Sequence, residues 1–253
     1  MKKIAIIPPI PLIPYEQNRR LERYQSLAGT KDFVDIRQLK GGPLLTDNEY
    51  DLFWASVYMI LEAEAAEREG FDAVIIDCTA DTGIVEMRQS LSIPVVGALE
   101  AGIEEACKRN PEEKVSILAL DKDWKRMITS KLIDYNLLDS ISSVECVGLH
   151  VYSPEKEKGL DQTESWRFFQ NLCRAGEAAA AAGAGVIVLG STTVIAEREK
   201  LENHLGICVV DPGASALRKA KVLIEKKCLK EYFTLKKENK IRYGDVIRKN
   251  LGL

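Results

Sequence analysis

The chain has 253 residues, enough for one large domain or for two lobes of about 120 residues each. With 46% hydrophobic and 29% charged residues it has the composition of a globular protein with a sizeable core, and its net charge of −3, with the signs interspersed, leaves no footprint for a nucleic-acid partner. The longest apolar stretch beyond the N-terminus, AAAAAGAGVIVLG, is too short and too broken by glycine to cross a membrane.

In chain order, MKKIAIIPPIPLIP opens like a secretory signal, with two lysines before an apolar run. Pro8, Pro9, Pro11 and Pro14 interrupt that run and no small-residue cleavage site follows, so it reads as a first strand, near 3–7, leading into a Pro-rich loop. Further strands rich in Val and Ile are predicted near 73–77, 94–97, 115–120, 143–148, 186–189 and 207–210. Helical patterns separate them near 48–69, 83–91, 99–109, 123–137, 164–182, 194–204 and 213–227. The strands are continuously apolar, as in a parallel sheet covered on both faces, and the alternation of strand and helix is that of an α/β protein. The Lys-rich last 25 residues are less periodic and read as a docked surface helix or tail. The expected compartment is the cytoplasm. Cys78, Cys107, Cys146, Cys173, Cys208 and Cys228 fit it, being scattered, without a C-x-x-C and without pairing to His150 or His204. Neither a disulfide framework nor a metal site is expected, and most of these cysteines read as small buried hydrophobes.

Two segments of the chain match each other. GFDAVIIDCTADTGIVEMRQSLSIPVVGALEAGIEEA and GAGVIVLGSTTVIAEREKLENHLGICVVDPGASALRKA each run through glycine, apolar strand, nucleophilic residue, threonine, helix and second apolar strand. Gly70 precedes Cys78 by eight positions, and Gly183 precedes Ser191 by the same eight. The chain therefore reads as two related halves, with Cys78 and Ser191 in equivalent places at the carboxyl ends of parallel strands, just before a helix. Ligands of open α/β sheets bind at that edge. A helix start offers unpaired N–H groups and a partial positive charge that hold a carboxylate or a developing enolate oxygen, and the same field favours thiolate.

The residues CTADTGIVEMRQSLSIPVVGALEA, GGPLLTDNEYD and VIVLGSTTVIAE resemble the aspartate/glutamate racemase superfamily, and within it the hydantoin racemase branch, over nearly the whole chain. The resemblance implies two pseudo-symmetric α/β lobes with the active site in the cleft between them. It implies a chain that crosses between lobes, so that residues 1–98 plus 211–253 form the first and 99–210 the second. It also implies a reaction without cofactor or metal, in which two cysteines, one per half, move a proton from one face of a carbon beside a carbonyl to the other. This chain departs from the pattern twice. Ser191 stands where the second cysteine belongs, and the loop after the first strand, an Asn-rich substrate contact in hydantoin racemases, reads PPIPLIP and places Pro9 there.

A thiol can serve as acid or base near neutral pH, whereas a serine hydroxyl is a far weaker acid and needs an activating base. Three outcomes stay open at Ser191: a weakened second acid/base, a bystander to single-cysteine decarboxylase chemistry, or a helix cap that also binds substrate. His150, at the end of the 143–149 strand, could reach the same edge. Thr79, Ala80, Thr192 and Thr193 are candidate substrate contacts, capping being the competing role for the threonines. Asp81 and Glu100 match family positions or serve as solvated or capping carboxylates, and His204 sits by a helix C-terminus where a histidine is favourable anyway. The Gly-x-Gly at 183–185 precedes its strand and is a helix–strand turn, not a dinucleotide fingerprint. The expected function is a racemase or epimerase of a hydantoin-like or amino-acid-derived molecule, with Cys78 as the main acid/base. A lyase or decarboxylase, or a binding protein without turnover, are the alternatives. The expected partners are a small molecule bearing a carboxylate or imide carbonyl and further copies of the chain, with no nucleic acid and no membrane.

Overall fold

The computed structural model describes residues 1–109, 111–148 and 162–226. His150, Cys228 and the Lys-rich last residues lie outside them. In chain order the elements are β1 (Lys3–Ile7), α1 (Pro14–Ala28), β2 (Phe33–Ile36), α2 (Glu49–Arg68), β3 (Ala73–Ile76), α3 (Ile84–Ser90), β4 (Val95–Gly97), α4 (Ala98–Arg109), β5 (Lys114–Ala119), α5 (Lys122–Asp134), β6 (Ile141–Cys146), α6 (Gln162–Ala181), β7 (Ala184–Gly190), α7 (Arg198–Leu205), β8 (Cys208–Val210) and α8 (Pro212–Glu225). Short 3-10 turns at Leu138–Ser140 and Ile195–Glu197 complete the list of described elements.

The strands form two four-stranded parallel sheets, ordered β2-β1-β3-β4 and β6-β5-β7-β8. The two orders are the same path drawn twice. β3 and β7, which lead to Cys78 and Ser191, hold the same place in their sheets. The protein is therefore an α/β protein of two lobes. By contacts it divides into one unit of Met1–Asp77, Asp81–Gly97 and the chain from Ala216 on, and a second of Cys78–Ala80 and Ala98–Ser215.

The continuous apolar runs have the cause inferred for them. In the second sheet, Leu118, Ile187, Leu189 and Val209 pack with Phe168, Leu172, Ala175 and Leu201 of α6 and α7. Val115, Ile117, Val186, Val188 and Val210 point the other way, onto Leu99 and Ile103 of α4 and Ile128 and Leu132 of α5. Both faces of β5, β7 and β8 are thus covered along most of their length, which selects apolar side chains, and the one buried polar residue among them, Ser116, bonds to the Ser142 and Ser143 hydroxyls of β6. The helix starts follow local chemistry. Asn48 caps α2 by accepting from the Asp51 N–H at 3.0 Å, while its amide donates to the Asp51 carboxylate at 2.9 Å. Asp121 caps α5 through the Trp124 N–H at 2.9 Å.

Two elements escape the sequence pattern. Strand β2 is four residues at the edge of its sheet, with Phe33 exposed and Asp35 half-buried. Helix α1 has no apolar stripe: its buried residues are Arg20, Tyr24 and Ala28. The inward face of this helix carries a charge, so a search for hydrophobic periodicity passes over it.

Candidate active site

Cys78 follows β3 directly after Asp77. It is 3% exposed, and Asp77 is 1% exposed. The Asp77 N–H donates to the Ile7 carbonyl at 2.9 Å, so the backbone stays on the β1 ladder to this residue. Its carboxylate accepts from the Arg20 guanidinium and, at 2.8 Å, from the Tyr24 hydroxyl. Burial works against the Arg20 charge, but the attraction and hydrogen bond of Asp77, with Glu16 nearby, outweigh it and hold the guanidinium protonated more firmly than usual.

The residues after Cys78 form a turn, Thr79–Gly83, before α3 begins. The helix begins at Ile84, in agreement with the helical pattern expected near 83–91. Helix α3 is seven residues long and follows Gly83, whose φ of 70° is left-handed and which caps nothing with a side chain. Within the turn, Asp81 is buried at φ 44° and packs onto Gly97, where an added Cβ would come within 2.4 Å of the Asp81 Cγ. Asp81 is therefore not a solvated carboxylate. Glu100 lies in the first turn of α4, where the helix dipole favours a carboxylate.

Ser191 ends β7 in the equivalent place and is buried, as is Thr192, while Thr193 is half-buried. The Ser191 Oγ accepts from the Thr193 N–H at 3.1 Å and shares a second hydrogen bond, of 2.7 Å, with the Thr193 Oγ1. The serine thus closes a local turn. It does not cap a helix, because the next element is the 3-10 turn at Ile195–Glu197, whose N-cap is Val194.

Thr79, proposed from sequence as a substrate contact, has its hydroxyl engaged otherwise: it donates to the carbonyl of Gly190, the last residue of β7, at 2.7 Å. That hydrogen bond spans 111 residues of sequence and joins the residue after Cys78 to the residue before Ser191. Ala80 is buried beside it, and Pro9 is buried where the chain leaves β1. Sequence reasoning missed Arg20 and Tyr24, because their link to the site is tertiary. The available signal was a buried-looking Asp77 in an otherwise apolar strand.

Of the other cysteines, Cys107, Cys146 and Cys173 have thiols pushed up chiefly by burial, which leaves them poor sources of thiolate. His204 is paired with Glu177 at 2.8 Å on the surface, at the end of α7. Among the described residues no group of three or more His, Cys, Asp and Glu could hold a metal ion, and no helix is long and apolar enough to cross a membrane.

Comparison with known proteins agrees with this layout. The chain is 27% identical over 202 residues to the hydantoin racemase of Paenarthrobacter aurescens, covering 79% of this chain and 82% of that one. Among solved structures it is similar in fold to the allantoin racemase from Klebsiella pneumoniae, with a TM-score of 0.77 at 20% identity over 97% of this chain and 99% of that one. It is also similar in fold to arylmalonate decarboxylase, with a TM-score of 0.56 at 17% identity over 88% and 92% of the two chains. The family model for Asp/Glu/hydantoin racemases matches residues 21–220. With that match spanning most of its length, and with two parallel four-stranded sheets of one shared strand order, the chain belongs to the Asp/Glu/hydantoin racemase family.

Proposed function

We propose that the protein is a cofactor-independent racemase or epimerase of a small carbonyl compound, with a 5-monosubstituted hydantoin or allantoin as the substrate class its relatives suggest. Cys78 takes the role of main acid/base. The observation that carries the reading is the Thr79–Gly190 hydrogen bond, which joins the residue after Cys78 to the residue before Ser191. As thiolate, Cys78 removes the proton from the carbon beside the carbonyl. The electron pair of that C–H bond moves into the carbonyl as an enolate, and a proton returns to the opposite face of the same carbon. Ser191, Thr192, Thr193 and Ala80 complete the proposed substrate surroundings, with Ser191 the second proton carrier.

A second reading is favoured by one observation. The Ser191 oxygen already accepts from the Thr193 N–H and is bonded to its hydroxyl, so it is less available as a base than a thiol in that place. In a single-cysteine decarboxylation, a carbon–carbon bond breaks, carbon dioxide leaves, and Cys78 alone protonates the enolate that remains. The fold shared with arylmalonate decarboxylase is compatible with it.

The test is proton exchange in D₂O, followed by NMR and polarimetry, on both enantiomers of 5-methylhydantoin, allantoin and glutamate, with phenylmalonate as the decarboxylation substrate. The expected result is exchange and racemisation of a hydantoin, lost by about 10³-fold or more in Cys78→Ala. Ser191→Cys is expected to speed the slower direction and Ser191→Ala to slow it further. Decarboxylation of phenylmalonate without racemisation selects the second reading, and a fully active Cys78→Ala protein overturns both.

A further inference from the structure

Arg20 and Tyr24 lie one turn apart on the buried face of α1, and both reach the Asp77 carboxylate. All three are shut off from water, at 5%, 0% and 1% exposure. An apolar residue in place of Arg20 would cover the sheet without the cost of taking a guanidinium out of water, so the pair is a poor device for stability alone. What such a pair does supply is one fixed arrangement, and here the arrangement ends one residue short of Cys78. Asp77 is held by its backbone through Ile7 and by its side chain through Arg20 and Tyr24. Thr79, on the other side of the cysteine, is held through Gly190. Cys78 is therefore a single residue between two pinned ones.

We propose that Arg20 and Tyr24, acting through Asp77, are positioning residues that fix the backbone, and with it the Sγ, of Cys78. The proposal rests on the reading of Cys78 as the proton-transfer group. Proton transfer requires the sulfur to stand at a set distance and angle from one C–H bond, and misplacement by an ångström costs rate, not binding. A network reaching inward from α1 meets that requirement without any of its members entering the site.

Two variants test it. Tyr24→Phe keeps the ring, with the Arg23 guanidinium 4.8 Å from its centre, and removes only the hydroxyl that Asp77 uses. Asp77→Asn keeps the size and removes the charge facing Arg20. Two readouts are taken well below the melting temperature: kcat and KM for exchange at C5 of 5-methylhydantoin, and the rate at which iodoacetamide alkylates Cys78, followed by peptide mass mapping. The expected result for Tyr24→Phe is a kcat lower by about tenfold with KM changed less than about twofold. Alkylation of the buried thiol is expected to become several-fold faster as the strand end loosens. Asp77→Asn should exceed Tyr24→Phe in both, and if it fails to fold, Tyr24→Phe carries the test. A lowered melting temperature with kcat and alkylation rate unchanged overturns the proposal, since the cluster would then be structural only. If the unaltered protein exchanges no C5 proton, the functional reading falls by itself. The alkylation rates, which need no substrate, still decide whether the cluster fixes Cys78.

Discussion

The hydroxyl of Thr79 has a partner within the protein. A threonine after a candidate catalytic cysteine suggests a substrate contact, yet its oxygen donates to the Gly190 carbonyl at 1% exposure. Thr79→Val preserves the shape and withdraws the donor, leaving a buried carbonyl without it. Urea denaturation should show a loss of about 1–3 kcal/mol, while Thr79→Ser, which keeps the hydroxyl, should lose less. A Thr79→Val protein as stable as the parent would mean that the Gly190 carbonyl finds another partner. Ser191 carries a related lesson. Its position was legible from the internal repeat, but its local bonds to Thr193 were not, because a serine two residues before a threonine forms such a turn in some settings and not in others.

At the scale of elements, the eight-residue spacing that exposed the repeat has a mechanical cause. Gly70 and Gly183 adopt φ of 80° and 89° as the chain turns from α2 into β3 and from α6 into β7. Their N–H groups close the same turn, onto the Glu67 and Ala180 carbonyls at 3.1 and 2.9 Å. An added Cβ meets nothing within 4 Å at either. Gly70→Ala and Gly183→Ala should therefore each cost only the backbone term, about 1 kcal/mol, with nearly equal values by chemical denaturation. Gly97→Ala should cost more, because its Cβ would collide with the buried Asp81 carboxylate. Equal losses at all three would refute the steric account. Most strands could be read from the sequence because both faces are covered and the run is continuously apolar, as in β5 and β7, and helices such as α4 because their buried residues recur with the helical period. The exceptions depend on partners far away in sequence. The buried stripe of α1 is built around Arg20, whose partner is 57 residues on, and β2 is too short to show a period. The helices after Cys78 and Ser191 begin close to where the sequence pattern places them, at Ile84 and, behind a 3-10 turn that the pattern does not show, at Arg198.

Across the whole molecule, charge is tied down where Lys2 and Asp32 meet α8. Asp32 accepts from Lys221 Nζ, 2.9 Å away, and from the Lys2 N–H at 3.2 Å, while Lys2 Nζ pairs with Glu225 at 2.8 Å. Burial alone would raise the Asp32 pKa, but the bonds and charges of Lys221 and Lys2 outweigh it and hold the carboxyl below its ordinary value. The unfolded chain then takes up this proton first as the pH falls. The contribution is complete above the unfolded pKa of about 3.9 and drains away as the pH drops through the lower folded value. Thermal unfolding followed between about pH 5 and pH 2 should show a shallower decline for Asp32→Asn than for the parent, with the two curves converging at the acid end. Parallel curves would show that Asp32 has no share in acid sensitivity.

The division of the chain into Ala98–Ser215 with Cys78–Ala80, and Met1–Asp77 with Asp81–Gly97 and the residues from Ala216 on, also sets an order of events during synthesis. The sheet β6-β5-β7-β8 is drawn almost wholly from one continuous stretch, so it has all its strands once Val210 has left the ribosome. The other unit starts first and finishes last, since it takes in residues from Ala216 on and its Lys2–Glu225 pair closes across 223 residues. Closing so wide a loop is slow and entropically costly. A nascent chain that has released β8 but not yet Lys221 and Glu225 should therefore already protect its β5 and β7 amides from exchange while Lys2 and Asp32 still lack these partners. The first residues made would be among the last to find their final partners.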